Sequence, residues 1–343
     1  MDLIGRIELE KKNRKQVNIN ASSGSIIMAV GIFLLGAIHQ FSLVEHSLGK
    51  YLSLTLLLVW LVMVGLFCFA LTNKNYRDEY LNYSIKYFGA GTWIAGTSVI
   101  CILIHFRFPE LFRGIWIVSY INIVGWLFFI GFSIYHLLNI IKTNSIQDVH
   151  GIILLSTVST QSIACLLLNV FNPMRSVILM IICLGASFYI VSILLIFKRF
   201  LMKNKDIHEW KNTDCIIHGA LSITGLSLTQ SQLLSVELIV SFWFIVFGLF
   251  IFVELMEIKR ALSRIREFGI GNGLLVYDIS QWARNFTFGM FYYFTFNMIN
   301  TFDGEMNFSF QIWIMDLLAW VVLALLIIEL TLLLKSKVKR TSY

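Results

Sequence analysis

The sequence predicts an all-α, polytopic membrane protein with ten transmembrane helices, five of them inner and five outer. Three observations predict this fold class. Apolar residues make up 57% of the 343 residues and charged residues only 14%. The charges cluster in groups between long uncharged runs, so the polar face that a soluble domain needs is missing. Small residues are concentrated in alternate runs, which indicates two kinds of helix.

Ten apolar segments are each long enough to cross the hydrocarbon core as one helix. Only helices or closed barrels satisfy the backbone in lipid, and these runs are too long and continuous for barrel strands. The segments divide the chain into a basic N-terminal tail (1–23), a ten-helix transmembrane domain (24–334) and a basic C-terminal tail (335–343). Their approximate ranges are 24–44, 52–72, 87–105, 115–140, 152–171, 176–197, 214–231, 235–256, 284–301 and 311–334.

The basic residues predict the orientation. Ten spans place both termini on one side, and with the N-terminus inside, all but four of the 27 lysines and arginines face the cytoplasm. The four outside are Lys50, Arg107, Arg113 and Arg175. This asymmetry follows the positive-inside rule and predicts a multi-pass protein of the cell (plasma) membrane with both termini cytoplasmic. The net charge of +7 therefore needs no nucleic-acid partner.

Glycine, serine and threonine distinguish the odd-numbered spans from the even ones. Span 3 contains Gly96 and Thr97, span 5 contains Ser156 and Thr160, and span 7 contains Thr224. Small residues let helices approach closely, and hydroxyls suit a watery or protein interior, whereas bulky apolar residues suit lipid. The alternation predicts five inner helices surrounded by five outer ones. Ordinary small-residue packing without a pore explains the glycines equally well.

Span 9 carries an aromatic-rich stretch, NFTFGMFYYFTF, from Asn285 to Phe296. On a helix, Phe288 and Tyr292 lie along one face, and Gly289 leaves space beside the Phe288 ring. One interpretation is a hydrophobic plug at a narrow point of a pore. The alternative is an aromatic-rich helix that packs against its neighbours and lipid.

Few ionisable residues lie inside the spans, and such residues are functional candidates. His218 and Glu329 are the candidate titratable groups. The histidines lack a partner at i+4 and the five cysteines lack short paired spacings, so the sequence predicts no metal site, no disulfide and no cofactor. The GIGNG stretch at 269–273 has no following Lys-Ser or Lys-Thr and no preceding strand, which favours a flexible turn over a phosphate loop.

Four short stretches resemble the tellurite-resistance/dicarboxylate transporter family, which includes bacterial tellurite-resistance proteins, fungal malate and sulfite transporters and plant slow anion channels. IIMAVGIF is similar to its Met-x-x-Gly pattern at Met28 and Gly31. GTWIAGTSVI is similar to Phe-x-Ala-Gly-Thr, with Trp93 near the aromatic position. GIILLSTVS is similar to a segment that usually reads Leu-Pro-x-Val. YDISQWARNFTFGMF resembles the Trp followed by Phe-Pro or Phe-Gly that opens the ninth helix.

The resemblance implies ten helices in five hairpins, with the odd-numbered helices forming an inner ring around a central pore, and homotrimers in the membrane. A phenylalanine on the ninth helix closes the pore in this family, and it maps onto Phe288. The pore lining predicted from the small and hydroxyl-bearing residues of the odd-numbered spans and from the Phe288 face of span 9 is Gly31, Gly96, Thr97, Ser156, Thr160, Thr224 and Tyr292. Two departures concern kinks: Ser156 and Gly289 stand where the family often has proline, so any kink must come from glycine or inserted hydroxyls.

Three functions remain open at this point. The first is an anion channel or transporter for small anions of the tellurite, C4-dicarboxylate, sulfite or halide/nitrate class, with Phe288 as its gate and weak neutral donors along the wall. The second is a proton-coupled secondary carrier for dicarboxylates, which needs a titratable residue such as His218 or Glu329. The third, a membrane enzyme, would need clustered catalytic groups near one interface, and the sequence has no such cluster.

Overall fold

The computed structural model describes residues 19–82, 84–202 and 207–341, and these residues form helices without any strand. Each of the ten predicted segments overlaps one principal helix. These helices are α1 (Gly24–Leu35), α2 (Ser42–Thr72), α3 (Gly91–Arg107), α4 (Phe112–Thr143), α5 (Leu155–Val170), α6 (Arg175–Met202), α7 (Ile216–Ser231), α8 (Val236–Gly273), α9 (Trp282–Thr301) and α10 (Ser309–Thr341). Two short helices, Lys74–Asn82 and Ser84–Tyr87, lie between α2 and α3.

The helices differ in length and in suitability for lipid. Within the described residues, seven are long and apolar enough to span a membrane: α2, α3, α4, α5, α6, α8 and α10. The remaining three, α1, α7 and α9, are short or less apolar. A helix surrounded by protein does not need the length and continuous apolar surface that lipid contact requires, because its neighbours shield it. The structure is therefore that of a polytopic membrane protein.

Burial separates the odd-numbered helices from the even-numbered ones. The apolar window of α3 is 94% buried and that of α5 is 83% buried, whereas the windows of α2 and α4 are 17% and 33% buried. The long helices expose leucine, isoleucine and phenylalanine side chains along much of their length. Exposed apolar surface of this extent is typical of helices that face lipid or another membrane subunit.

Contacts between the odd-numbered helices close into a circuit. Helix α1 packs on α3, α3 on α5, α5 on α7, α7 on α9, and α9 on α1. Most of the even-numbered helices pack outside this circuit, against the two odd-numbered helices that flank them in sequence; α10 packs on α9 and α1. The small residues of the odd-numbered spans lie where these inner helices approach each other, as the predicted two kinds of helix require.

A short 3-10 helix precedes each inner helix. The five are Ala21–Ser23, Phe88–Ala90, Gly151–Leu154, Asn212–Cys215 and Ile279–Gln281. They contact one another in the same circular order as the helices that follow them. Polar side chains cap three of them: Asn20, His150 and Asp278 accept hydrogen bonds from the backbone N–H two residues further on. The same unit, a capped turn and a short buried helix, thus recurs around the circuit.

Tryptophans on three outer helices donate hydrogen bonds to threonines of the next inner helix. Trp60 Nε1 lies 3.1 Å from Thr97 Oγ1, and Trp126 Nε1 lies 3.2 Å from Thr160 Oγ1. In the third pair, α8 donates to α9 through a corresponding bond of 2.8 Å. These buried polar pairs fix each outer helix on the inner one that follows it.

The GIGNG stretch differs from the predicted flexible turn. Helix α8 continues through it to Gly273 after a break at Gly269, where φ is +73°. Glycine adopts this left-handed conformation without steric penalty, so the chain bends there and then resumes helical geometry.

Candidate functional site

A cavity of about 540 Å³ lies beside the 3-10 helices, four of which contribute residues to its wall, and we call it the vestibule. Its wall comes from the starts of all five inner helices. Ser25 and Met28 contribute from α1, Thr92 from α3, Leu155 from α5, and Ile216 from α7. Further lining residues are Ala283 and Phe286 of α9 and the cap residues Asn20, His150 and Asp278.

The electrostatics of the vestibule favour an anion. A helix carries about half a positive elementary charge at its N-terminus, from backbone N–H groups that lack intrahelical partners. Five such N-termini face the vestibule, while the permanently charged lining residues are one cation, Lys86, and one anion, Asp278. Ser25 lines the vestibule, and its buried hydroxyl has no hydrogen-bond partner among the described residues.

A buried ion pair holds two of these turns together beside the vestibule. Asp214 accepts from the backbone N–H of Gly151 at 2.7 Å and pairs with Arg199 of α6 at 2.9 Å. Arg199 also donates to the Val149 carbonyl. A Cβ added at Gly151 would lie 1.9 Å from the backbone oxygen of Thr213, so only glycine allows this approach. The starts of α5 and α7 are therefore held rigidly together.

His150 lies at this junction as a neutral residue. Thr213 Oγ1 is 2.7 Å from His150 Nδ1, which also accepts from the Ile152 N–H. Burial lowers the pKa of His150 to about 4, although Asp214 and Asp148 raise it; Arg199 and Lys211 lower it further. At neutral pH the vestibule therefore has no charge from this ring.

A second void of about 20 Å³ lies between the middle and later turns of the same five helices. Its wall is apolar apart from Ser98, Ser162 and Gln230, and the Ser162 hydroxyl lies 3.3 Å from that of Ser98. The apolar wall includes Ile32, Leu35, Val99, Ile102, Ile223, Leu226 and Met290. This volume holds about one water molecule, so the inner helices are nearly closed at this level.

The aromatic residues of α9 face different sides of that helix. Phe286 lines the vestibule, and Met290 and Tyr293 line the void beyond it. The Phe288 ring lies 4.9 Å from the Phe250 ring of α8 and 6.4 Å from the His218 ring of α7. Phe288 lines neither cavity, because a two-residue step turns a helical side chain about 200° away. Its predicted gating role stays a prediction.

The predicted hydroxyl lining lies between helices in this structure. Thr97 and Thr160 accept from the outer-helix tryptophans described above. Ser156 donates to the Ile153 carbonyl, and Thr224 donates to the Ala220 carbonyl. None of these hydroxyls lines the vestibule or the void. The predicted role of these hydroxyls along a pathway therefore stays a prediction.

The predicted glycines and Tyr292 also lie at helix contacts. A Cβ at Gly31 would meet Val99, and one at Gly96 would approach the Gly24 carbonyl, so both permit close packing of α1 on α3. A Cβ at Gly289 would lie 2.6 Å from Ile32 Cγ2, so this glycine permits close packing of α9 on α1. Tyr292 is buried and stacks against Phe296.

The two candidate titratable residues are buried in separate places. His218 lies against Phe250 and Phe288, and neither ring nitrogen has a hydrogen-bond partner among the described residues. Glu329 of α10 is buried with Oε1 unpartnered, and it lies close enough to Tyr277 and Asp278 for electrostatic interaction. Neither residue lines the vestibule or the void.

Several residues that face the axis escaped the sequence analysis. Ser25, Thr92 and Phe286 line the vestibule, and Ser98 and Ser162 line the void. One signal could have found them: on α9 the lining positions are 283, 286, 290 and 293, a helical spacing that recurs on the other inner helices. In the described residues, no group of three histidine, cysteine or acidic residues could hold a metal ion.

The fold and the site define a class: a multi-pass membrane protein in which five short, largely buried helices pack in a closed circuit and begin around one cavity. The sequence profile of the voltage-dependent anion channel (SLAC1) family matches residues 18–334. The chain belongs to this family, which is the tellurite-resistance/dicarboxylate transporter family, and the predicted resemblance is confirmed. A comparison with curated proteins finds no match.

Proposed function

We propose that this protein is a channel that conducts small anions across the cell membrane along the axis of the five inner helices. Family membership supports an anion channel or transporter. The observation that carries the channel mechanism is the convergence of five helix N-termini on the vestibule, with no charged side chain lining the void beyond it. Neutral donors and helix dipoles attract an anion weakly, and weak binding allows rapid passage.

The proposed closed state is an apolar constriction between the vestibule and the void. Met28 and Phe286 line the inner part of the vestibule, and Ile32 and Met290 follow one helical turn later on the same two helices. A narrow apolar constriction disfavours water, so in this proposal a hydrated anion cannot pass until the inner helices separate. Phe288 would act on this closure by holding α9 against Phe250 of α8.

Ser25 provides the direct test. In proteoliposomes with a chloride or nitrate gradient, we expect Ser25→Asp to abolish flux, because a carboxylate repels anions from the vestibule. Ser25→Ala should lower flux several-fold by removing one donor. Ser133→Ala is the matched control, since Ser133 is also buried and unpartnered but lies on outer helix α4. Undiminished flux through a well-folded Ser25→Asp protein would exclude the vestibule from the pathway.

The proton-coupled carrier is the second candidate, and the unpartnered ring of His218 is the observation that favours it. It predicts uptake that depends steeply on a proton gradient and is lost in His218→Ala. A channel predicts equal flux with and without the gradient. Reversal potentials measured with several anions in the same liposomes would identify the permeant class.

The orientation and assembly follow from other features. The positive-inside distribution supports cytoplasmic termini, which places the vestibule at the cytoplasmic mouth. The family resemblance and the exposed apolar surface of the outer helices support a homotrimer in the lipid bilayer.

A further inference from the structure

A second pocket, of about 400 Å³, lies beside the vestibule and is strongly basic; we call it the side pocket. Lys211, Arg260 and Arg264 line it, together with His208 and His150. No carboxylate is among its lining residues. Acidic groups contact several of the lining residues: Glu257 pairs with Arg260 at 3.7 Å, Glu267 pairs with His208 at 3.8 Å, Asp278 accepts from the Ser280 hydroxyl, and Asp214 accepts from the Lys211 backbone N–H. The remaining lining residues are Trp210, Asn212, Thr213, Phe268 and Ser280.

The cations in the side pocket differ in whether other groups of the protein already bind them. Arg260 is buried, donates to the Trp210 carbonyl at 2.7 Å and to Asn212, and is held in place by these bonds. Arg264 and Lys211 make no ion pair with any described residue, and Arg264 is half-buried. Three cations close together repel one another, and a bound anion would relieve that repulsion.

We propose that the side pocket binds the phosphate group of a phosphorylated small molecule. Guanidinium groups form paired hydrogen bonds with phosphate oxygens, and an ammonium group adds a point charge. The side chains of Thr213, Ser280 and Asn212 also line the pocket, where they already bond to His150, Asp278 and Arg260, respectively, so the cations carry the proposed binding. The volume exceeds that of inorganic phosphate and falls within the range of small-molecule sites, and the exposed Phe268 ring offers an apolar surface for the rest of the ligand.

The ligand would act on the vestibule through a shared wall. His150, Thr213 and Ser280 line both cavities, and Asn212 bonds to Ser280 at 2.8 Å, which links the starts of α7 and α9. When the side pocket is empty, its cations raise the local anion concentration at the mouth of the vestibule. Bound phosphate neutralises them, so the ligand lowers anion flux; this last step rests on the proposed channel function, whereas the binding does not.

Binding is tested on the purified full-length protein in detergent, with ATP and inorganic phosphate as probes. We expect saturable ATP binding that weakens at least ten-fold in Arg264→Gln and also weakens in Lys211→Gln. Arg266→Gln is the matched control, because Arg266 is exposed on the same helix and does not line the side pocket. The absence of saturable binding to the wild type, or unchanged binding in Arg264→Gln, overturns the proposal.

Two further arms separate the sources of phosphate and the two proposals. Displacement of ATP by inorganic phosphate but not by phosphatidic acid vesicles identifies a soluble ligand, and the reverse identifies a lipid headgroup. In liposomes, ATP on the vestibule side should lower wild-type flux and leave Arg264→Gln flux unchanged. Normal binding without this inhibition overturns the inhibitory role, and binding by a protein that conducts no anions would refute the channel while preserving the site.

Discussion

At the scale of single residues, the position of an aromatic side chain around α9 determines its role. Phe286 and Phe288 are two positions apart on α9. Phe286 lines the vestibule, whereas the Phe288 ring packs against α7 and α8. Both rings are almost fully buried, so burial does not distinguish them. Their contacts do: one ring faces the axis and the other fixes the helix that carries it.

Truncation of the two phenylalanines should therefore give different electrical signatures. We expect Phe286→Ala to raise single-channel conductance, because it widens the vestibule next to Met28. Phe288→Ala should raise the open probability at unchanged conductance, because it loosens α9 from Phe250. Bilayer recordings of both variants measure these quantities. If Phe288→Ala alone changes conductance, its ring enters the pathway, as the sequence predicted. If neither variant changes conductance or open probability, neither ring takes part in gating.

His150 makes the stability of the fold sensitive to acid. Burial lowers its pKa to about 4, below the ordinary value near 6.5 of an unfolded chain, so the folded state resists protonation. The contribution is fully present above about pH 6.5 and is lost as the pH falls towards 4. Melting temperatures should fall over this range for the wild type and less for His150→Gln.

A matched variant makes this comparison specific. His46 is exposed on α2, so His46→Gln should follow the wild-type curve. Parallel curves for the wild type and His150→Gln between pH 6.5 and 4 would show that the His150 ring is not held neutral.

At the scale of helices, polar pairs attach the outer layer to the inner one. Trp60 with Thr97 and Trp126 with Thr160 join consecutive helices at buried positions, and α8 is joined to α9 in the same way. Hydrophobic attraction between helices is weak in lipid, so packing and such hydrogen bonds carry much of the association.

A double-mutant cycle measures one such pair. Trp126→Phe and Thr160→Val should each destabilise the protein, with a coupling energy of about 0.6 kcal/mol and at most about 1.7 kcal/mol, the average and maximum for hydrogen bonds between membrane helices. Unfolding in mixed detergent measures it. Trp313→Phe serves as the control, because Trp313 is 61% exposed on α10. Additive effects of the two substitutions would mean that the hydrogen bond contributes nothing measurable.

At the scale of the whole molecule, the starts of the five buried helices line one cavity, the vestibule. The distribution of basic residues predicts that the vestibule lies on the cytoplasmic side. The outer mouth would then carry His39, Glu45 and Arg107, which form a cluster with contacts of 2.8 and 2.9 Å.

Single-cysteine labelling in intact cells tests this orientation. In a background without the five native cysteines, His46→Cys should react with a membrane-impermeant maleimide added outside, because it would lie at the outer end of α2. Lys211→Cys should react only after the membrane is opened. The reverse pattern would place the vestibule outside, and labelling of both from outside would contradict the predicted topology.

The sequence by itself determined the helical membrane fold, the presence of more buried and more exposed helices, and the family. These features depend on composition along the chain: runs of apolar residues, the positions of charges, and small residues in alternate spans. Helix α9 shows where such information ends. Its 20 residues are buried on nearly every side, so no polar face marks the direction of the axis.

The tertiary structure alone decided which side of each inner helix faces the axis. Thr97 and Thr160 were expected to line a pathway because hydroxyls suit a polar interior, but tryptophans of the outer helices bind them instead. Phe286, rather than Phe288, reached the vestibule because α9 is rotated so that Gly289 meets Ile32 of α1. A helix rotation is set by contacts with several neighbours at once, and those contacts exist only after the chain has folded.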